Sequence, residues 1–208
     1  LLEILTHIRH SEKVFNMNRL LLILILTLSF QSWTKADDIS DFEIEGISLG
    51  DSALDYFTKE EIIKNKRDFY NSKKFSTSSI ESDEYSKFET IQISYKSSDK
   101  LFKILDISGV LFMNYNECMK DIKSISLEFD KMFVNTSKVK LDTYKNNDDP
   151  YGKSKVSDVY WYFDNKDVIV LACFYVDTKW ASESNFKSEF RVSIGTDEFN
   201  KFLIEESK

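Results

Sequence analysis

The apolar run at residues 20–30 (LLLILILTLSF) constrains this chain most, because it separates a leader from the residues that fold. It follows Met17-Asn18-Arg19, where Arg19 supplies a positive flank. Its length fits the apolar segment of a secretory signal peptide and falls short of the ~20 residues that a transmembrane helix needs. Small residues at Thr34 and Ala36 predict cleavage before Asp37.

We therefore expect three segments: residues 1–16 as an over-extended start, residues 17–36 as a cleaved signal peptide, and residues 37–208 as a single globular domain. The alternatives are an uncleaved anchor and a buried helix, and the helix is disfavoured because no polar face interrupts the run. No cysteine near the cleavage site offers a point for a lipid anchor. The prediction is a soluble periplasmic or secreted protein with no stable membrane insertion after signal cleavage.

The expected domain is acidic, with 24 Lys and Arg against 33 Asp and Glu in residues 37–208. A phosphate backbone is repelled by such a balance, so a nucleic acid is not an expected partner. The expected partner is an unidentified small molecule or an envelope protein.

The expected domain also lacks histidine, because both histidines, His7 and His10, precede the signal. This excludes Ser-His-Asp and Cys-His catalysis. It also excludes zinc sites that use histidine, and two cysteines cannot form a four-cysteine site. The five glycines are too scattered for a dinucleotide-binding motif. We therefore predict no catalytic residue, no metal and no cofactor.

Hydrophobic periodicity predicts an α+β fold with an antiparallel sheet of about five to seven strands. The longest helix is expected at about 117–133, after Asn114 or Asn116 as its cap. Two short helices are expected near 51–57 and 58–66, and a C-terminal helix after Thr196. The long helix carries one apolar stripe, made by Cys118, Ile122, Ile125, Phe129 and Met132. The strands are predicted near 41–45, 89–96, 101–113, 139–143, 156–163, 167–176 and 186–194.

Several short stretches carry more specific expectations. Residues 67–88 are rich in Ser, Lys and acidic side chains, which favours a surface loop. Gly109 inside a predicted strand indicates a bulge or bend. Residues 177–185 read as a polar loop that holds Trp180. Gly152-Lys153-Ser154 lacks the earlier glycine of a phosphate loop, and residues 146–149 lack the spacing of a calcium loop.

The two cysteines are candidates for one disulfide, because exported proteins fold in oxidising compartments. Cys118 falls on the helix stripe and Cys173 in the most apolar strand. The alternative is two separate buried thiols, and a catalytic thiol is disfavoured because no histidine activates it.

Aromatic residues are the only candidate ligand contacts in the sequence. Trp180, Tyr160, Tyr162 and Tyr151 offer ring faces for stacking and polar groups for hydrogen bonds. The alternative is that these side chains cap the core or brace neighbouring strands.

The motif at 42–52 is Phe-x-Ile-x-Gly-Ile-Ser-Leu-Gly-Asp-Ser, followed by short helices, a hairpin, a long helix with Cys118 and a strand with Cys173. This order resembles small exported proteins of streamlined, AT-rich marine bacteria, which implies export but no activity. Gly46-Ile47-Ser48-Leu49-Gly50 is also similar to a motif of small outer-membrane assembly lipoproteins, whose anchoring cysteine this chain lacks. It does not indicate a hydrolase nucleophile, because the partner histidine is missing.

Three functions of different classes are compatible with these observations. The first is a non-catalytic periplasmic binding or interaction module. The alternatives are a carboxylate- or Ser/Lys-dependent envelope hydrolase and a structural envelope component.

Overall fold

The structure, a computed structural model, describes residue 39 and residues 42–206, which belong to one compact unit. Within that range the fold is α+β with one antiparallel sheet, as the sequence predicts, and it contains four α-helices. The sheet has eight strands instead of the five to seven expected. They are β1 (Lys66–Arg67), β2 (Phe75–Glu81), β3 (Thr90–Lys96), β4 (Asp106–Phe112), β5 (Ser137–Lys145), β6 (Lys155–Tyr162), β7 (Val168–Tyr175) and β8 (Glu189–Gly195). The helices are α1 (Lys59–Lys64), α2 (Tyr115–Met132), α3 (Thr178–Ser184) and α4 (Asp197–Glu206).

The strand order is β1-β2-β3-β4-β8-β7-β6-β5, with every neighbouring pair antiparallel. The sheet is therefore two four-stranded meanders that meet where β4 pairs with β8. Helix α2 connects the two meanders in sequence, from the central strand β4 to the edge strand β5. The junction is in close register, with Ser108 opposite Ser193 and Asp106 opposite Gly195.

Helix α2 covers one face of the sheet by packing on β7 and β8. Asn114 is its cap, since the Asn114 side chain accepts a hydrogen bond from the Glu117 backbone N–H at 3.0 Å. Four members of the predicted stripe are buried: Cys118, Ile122, Ile125 and Phe129. The sheet supplies alternate residues to this face, such as Leu171 and Val192, which lie opposite each other. One face of the sheet is thus the hydrophobic core.

The disulfide between Cys118 and Cys173 ties the first turns of α2 to β7. Both residues are fully buried, and their Cα atoms are 5.8 Å apart. The disulfide prediction is confirmed, and the alternative of two separate thiols is wrong. The bond fixes the helix against the sheet at the centre of the second meander.

The expectation of a surface loop at 67–88 is wrong, because this stretch contains β2. Ser76, Thr77, Ser78 and Ser79 are all buried in the strand. Their hydroxyls are satisfied inside the protein: Thr77 Oγ1 lies 2.7 Å from Ser94 Oγ, and Ser78 Oγ donates to the Ile62 carbonyl at 2.7 Å. Hydrogen bonding makes these polar side chains compatible with burial, which composition alone does not reveal.

Gly109 produces no bulge, since the β3–β4 and β4–β8 ladders run through it in regular register. A Cβ atom at this position would lie 2.6 Å from the ring of Phe88. Glycine is needed here because the Phe88 ring covers the strand where a side chain would stand.

The segment before α1 is less regular than expected. The strand predicted at 41–45 is an isolated bridge between Ile44 and Ile47, and the first predicted helix is a 3₁₀ turn at Ala53–Asp55. The capping box is confirmed, with Thr58 Oγ1 accepting from the Glu61 N–H and Glu61 accepting from the Thr58 N–H.

The predicted signal peptide at 17–36 lies outside the described residues. Within the described part of the chain, no helix combines the length and apolar character needed to cross a membrane.

Removing the disulfide tests how firmly α2 depends on it. Replacing both Cys118 and Cys173 with Ala should lower the free energy of unfolding by about 4 kcal/mol, because the bond closes a loop of 55 residues. Urea denaturation of the oxidised protein and of the double variant measures this difference. A variant within 1 kcal/mol of the oxidised protein would contradict a structural role for the bond.

Candidate ligand-binding cavity

A cavity of about 650 Å³ lies on the sheet face opposite α2. Its floor is formed by residues of β2, β3, β4, β8, β7, β6 and β5, and α3 and α4 lie along its sides. The volume falls in the range of small-molecule sites. Because side chains alternate along each strand, every second residue of these strands faces the cavity and the others face the core.

Hydroxyl groups line one half of the floor, on β2, β3, β4 and β8. Ser108 Oγ lies 2.7 Å from Ser193 Oγ across the central strand pair. A second chain runs from the Tyr70 hydroxyl to Thr77 Oγ1 at 2.9 Å and on to Ser94 Oγ at 2.7 Å. Each hydroxyl both donates and accepts, so such chains orient one another. We call this half of the floor the polar wall.

Asp106 is the centre of the polar wall. It receives hydrogen bonds from Ser94 and Ser108, and a Cβ atom at Gly195 would lie 3.0 Å from its Oδ2. Protein atoms surround the carboxyl group, although it keeps partial contact with solvent through the cavity. Desolvation raises the pKa of Asp106 to about 7, while the charge of Arg191 and the two serine hydroxyls act in the opposite direction.

Arg191 is the cationic group on the same half of the floor, and it is held by its neighbours. Its Nε and Nη2 atoms donate to Glu189 Oε1 at 3.0 and 2.5 Å. The guanidinium also lies 5.0 Å from the ring centroid of Phe174. Arg191 therefore presents a fixed charge that is already paired.

The other half of the floor, on β6 and β7, is apolar, and we call it the apolar wall. It is made by the side chains of Val156, Val168, Val170, Ala172 and Phe174. Val170 lies directly opposite Ser193 in the register of β7 and β8. The change from polar to apolar lining therefore occurs between adjacent strands, and the cavity has two unlike walls.

A cluster of one carboxylate and three phenols stands beside the apolar wall; we call Tyr144, Asp158, Tyr160 and Tyr162 the Asp158 corner. The hydroxyls of Tyr144 and Tyr160 both donate to Asp158 Oδ2, the second at 2.7 Å. Burial, followed by the hydrogen bond to Asp158, raises the pKa of both tyrosines, so both remain donors at neutral pH. The rings of Tyr160 and Tyr162 stack, with centroids 6.0 Å apart.

Exposed apolar side chains surround the mouth of the cavity. Phe69, Phe186, Leu203 and Ile204 all line it and are all solvent-exposed. Helix α4 carries two of these residues on the cavity side, and Phe199 and Phe202 pack it against Phe75. At its C-terminal end, Glu206 accepts the backbone N–H of Asn71 at 2.9 Å.

The candidate contacts from the sequence divide into two groups. Tyr160, Tyr162 and Trp180 line the cavity. Tyr151 does not: its hydroxyl donates to Glu183 at 2.6 Å and the Lys179 ammonium lies 3.9 Å from its ring centroid. Tyr151 thus braces α3 from the outside.

Trp180 stands on a helix and not in the polar loop expected at 177–185. Asp177 caps α3 by accepting from the Lys179 N–H at 3.1 Å. Trp180 is 7% exposed and packs on Phe186, with ring centroids 5.0 Å apart. The seven-residue helix has no repeating apolar stripe, so its only sequence signal is the Asp cap.

Sequence reasoning missed Asp106, Asp158, Tyr144 and Arg191 as site residues. The available signal was the polar alternation of 191 and 193 against apolar 190, 192 and 194, which predicts one wet face on β8. That wet face is the cavity floor. Strands β4, β6 and β8 are far apart in sequence, so the sequence alone does not reveal that their polar residues share one face of the sheet.

Within the described residues, no group of three or more His, Cys, Asp or Glu side chains is placed to hold a metal ion. Asp149, in the segment weighed as a calcium loop, instead accepts backbone N–H groups from Tyr151, Lys153 and Ser154.

No protein-family model, curated protein or solved structure gives a significant match to this chain. The resemblance to small exported proteins of marine bacteria stays a prediction, and a functional proposal has to come from the cavity.

The burial of Asp106 predicts a pH-dependent stability. Because its folded pKa is raised above the ordinary value of 3.8, the folded protein binds more protons between pH 4 and 7, and its stability falls over that range. Asp106→Asn should therefore be more stable than the wild type at pH 8, by about 4 kcal/mol, and nearly equal to it at pH 4.

Urea denaturation at both pH values measures this difference, with Asp99→Asn as the matched control. Backbone N–H groups of Leu101 and Lys103 hold the pKa of Asp99 below its usual value. Asp99→Asn should therefore destabilise the protein at pH 8 and destabilise it less at pH 4. An Asp106→Asn variant that is less stable than the wild type at pH 8 would contradict the assigned environment.

Proposed function

We propose that this protein is an exported, non-catalytic binding module whose cavity holds one small amphipathic molecule. The observation that carries the proposal is the pair of unlike walls in one cavity of about 650 Å³. A ligand with an apolar body and a polar end matches both walls at once, since buried polar groups on either partner need hydrogen bonds.

A buried hydrogen-bond donor without an acceptor supports a ligand that has polar atoms. Asn200 on α4 lines the cavity, and its buried Nδ2 has no hydrogen-bond acceptor among the described residues. Such a group is costly unless something accepts its hydrogen bond. A polar ligand atom facing α4 would satisfy it.

Export is supported by two independent features. The run at 20–30 has the length of a signal peptide, and the Cys118–Cys173 disulfide is of the kind that persists in oxidising compartments. We therefore propose that the binding module acts in the periplasm or outside the cell, as a protein that is soluble after signal cleavage.

The second candidate function is an acid–base enzyme with Asp106 as its base. It is favoured by a carboxyl group with a pKa of about 7 at the end of a hydroxyl chain inside a cavity. An enzyme would convert the molecule that it carries, and Asp106→Asn would accumulate the unconverted form. The binding proposal expects the same bound molecule in both proteins.

Tryptophan fluorescence tests the binding proposal with decan-1-ol as a neutral amphipathic probe. Trp180 lines the cavity, whereas Trp161 lies on the core face, where its ring packs on Phe129 at 5.3 Å. Decan-1-ol should change the emission saturably, with one molecule bound per chain, in the wild type and in Trp161→Phe. The change should disappear in Trp180→Phe.

Calorimetry on all three proteins provides the control, because Trp180→Phe should lose the signal but not the binding. Saturable emission changes that persist in Trp180→Phe would place the probe elsewhere. The absence of saturable binding to any of the three proteins would contradict the proposed function.

A further inference from the structure

The Asp158 corner contains a buried carboxylate with only neutral partners. Asp158 is 5% exposed, and its two hydrogen bonds come from the hydroxyls of Tyr144 and Tyr160. Both donors use the same atom, Oδ2. Oδ2 therefore acts only as an acceptor in this corner.

The second oxygen, Oδ1, belongs to a residue that lines the cavity. It takes part in neither tyrosine hydrogen bond, and no lysine or arginine within the described residues pairs with Asp158. A buried charge without a counter-charge is unfavourable. The contrast is Glu189 in the same cavity, which is paired with Arg191.

The surrounding rings favour the same kind of ligand group. Tyr160 and Tyr162 lie parallel beside Asp158, and both line the cavity. The faces of phenol rings attract cations, most strongly where water is displaced. The Asp158 carboxylate and the two tyrosine rings would together stabilise a positively charged ligand group.

The remaining charges of the cavity do not supply that positive charge. The acidic side chains that line it are Asp106, Asp148, Asp158 and Glu189, and the basic ones are Lys187 and Arg191. Arg191 is held by Glu189, and the Lys187 ammonium lies 4.6 Å from the ring centroid of Phe112. The lining therefore carries more acidic than basic groups.

We propose that the Asp158 corner binds the protonated amino group of the ligand, with Oδ1 accepting a hydrogen bond from the ammonium. The apolar body of the ligand then lies along Val170 and Ala172, which are adjacent to the corner in the β6–β7 register. This inference rests on the proposed function, and it narrows the ligand class to amine-bearing amphiphiles.

Calorimetry with three probes of one chain length tests the inference on the oxidised wild-type protein. The probes are decylammonium, decan-1-ol and decanoate, at pH 7 and low ionic strength. Decylammonium should bind about tenfold more tightly than decan-1-ol, and decanoate should bind most weakly.

Asp158→Asn should reduce the preference for decylammonium over decan-1-ol to within about twofold, because Asn keeps the shape and an acceptor but removes the charge. The matched control is Asp83→Asn, which removes the same charge from an exposed turn residue that does not line the cavity. This control should keep the preference.

The outcomes separate the two proposals. If decan-1-ol binds and decylammonium binds no more tightly, the inference is overturned and the proposed function stands. A preference that survives in Asp158→Asn also overturns the inference. If none of the three probes binds, both proposals fail. The comparison of the three probes on the wild-type protein can overturn the inference by itself, even if Asp158→Asn does not fold.

Discussion

The packing of α2 on β7 and β8 determines the character of both faces of the sheet. Once the Cys118–Cys173 bond fixes the helix on one face, the residues that alternate toward it must be apolar. The intervening residues face away from the helix and are free of that requirement. The cavity occupies this second face, so its position follows from the same contact that forms the core.

On the cavity face of the sheet, polar side chains are buried because they form hydrogen bonds with one another. Thr77, Ser94, Ser108 and Ser193 satisfy one another across strands at 2.7 Å. Three groups of the cavity lining depart from this pattern: Asp106 is desolvated, Asp158 has only phenol hydroxyls as partners, and Asn200 Nδ2 has no acceptor among the described residues. These three groups line one cavity, and unfavourable polar groups of this kind tend to cluster at binding sites. Thr90 Oγ1 is also buried without a partner among the described residues, and it does not line the cavity.

Much of the fold can be predicted from the sequence, because its signals are local. The apolar stripe of α2, its Asn114 cap and the capping box at Thr58 are each contained within a few residues. The cysteine pair is identifiable because both residues lie in the two most clearly buried elements.

The rest depends on contacts between distant parts of the chain. The sequence does not reveal strand β2, because the burial of residues 76–79 depends on partners in β3, just after β3 and at the Ile62 carbonyl. Among the cavity residues, the aromatic side chains Tyr160, Tyr162 and Trp180 stand out by composition. Asp106 and Asp158 do not, since one sequence offers many acidic residues and only the strand order selects these two.

Native mass spectrometry of the protein recovered from the cells that produce it tests the central claim most directly. The wild type should carry one small amine-bearing molecule. Ala172→Phe should be folded but empty, because its ring would fill the floor of the cavity beside the Asp158 corner. Leu127→Phe, at an exposed position of α2 on the core side of the sheet, should retain the molecule. A wild-type chain with no bound species, or equal occupancy in Ala172→Phe, would contradict a ligand-binding cavity.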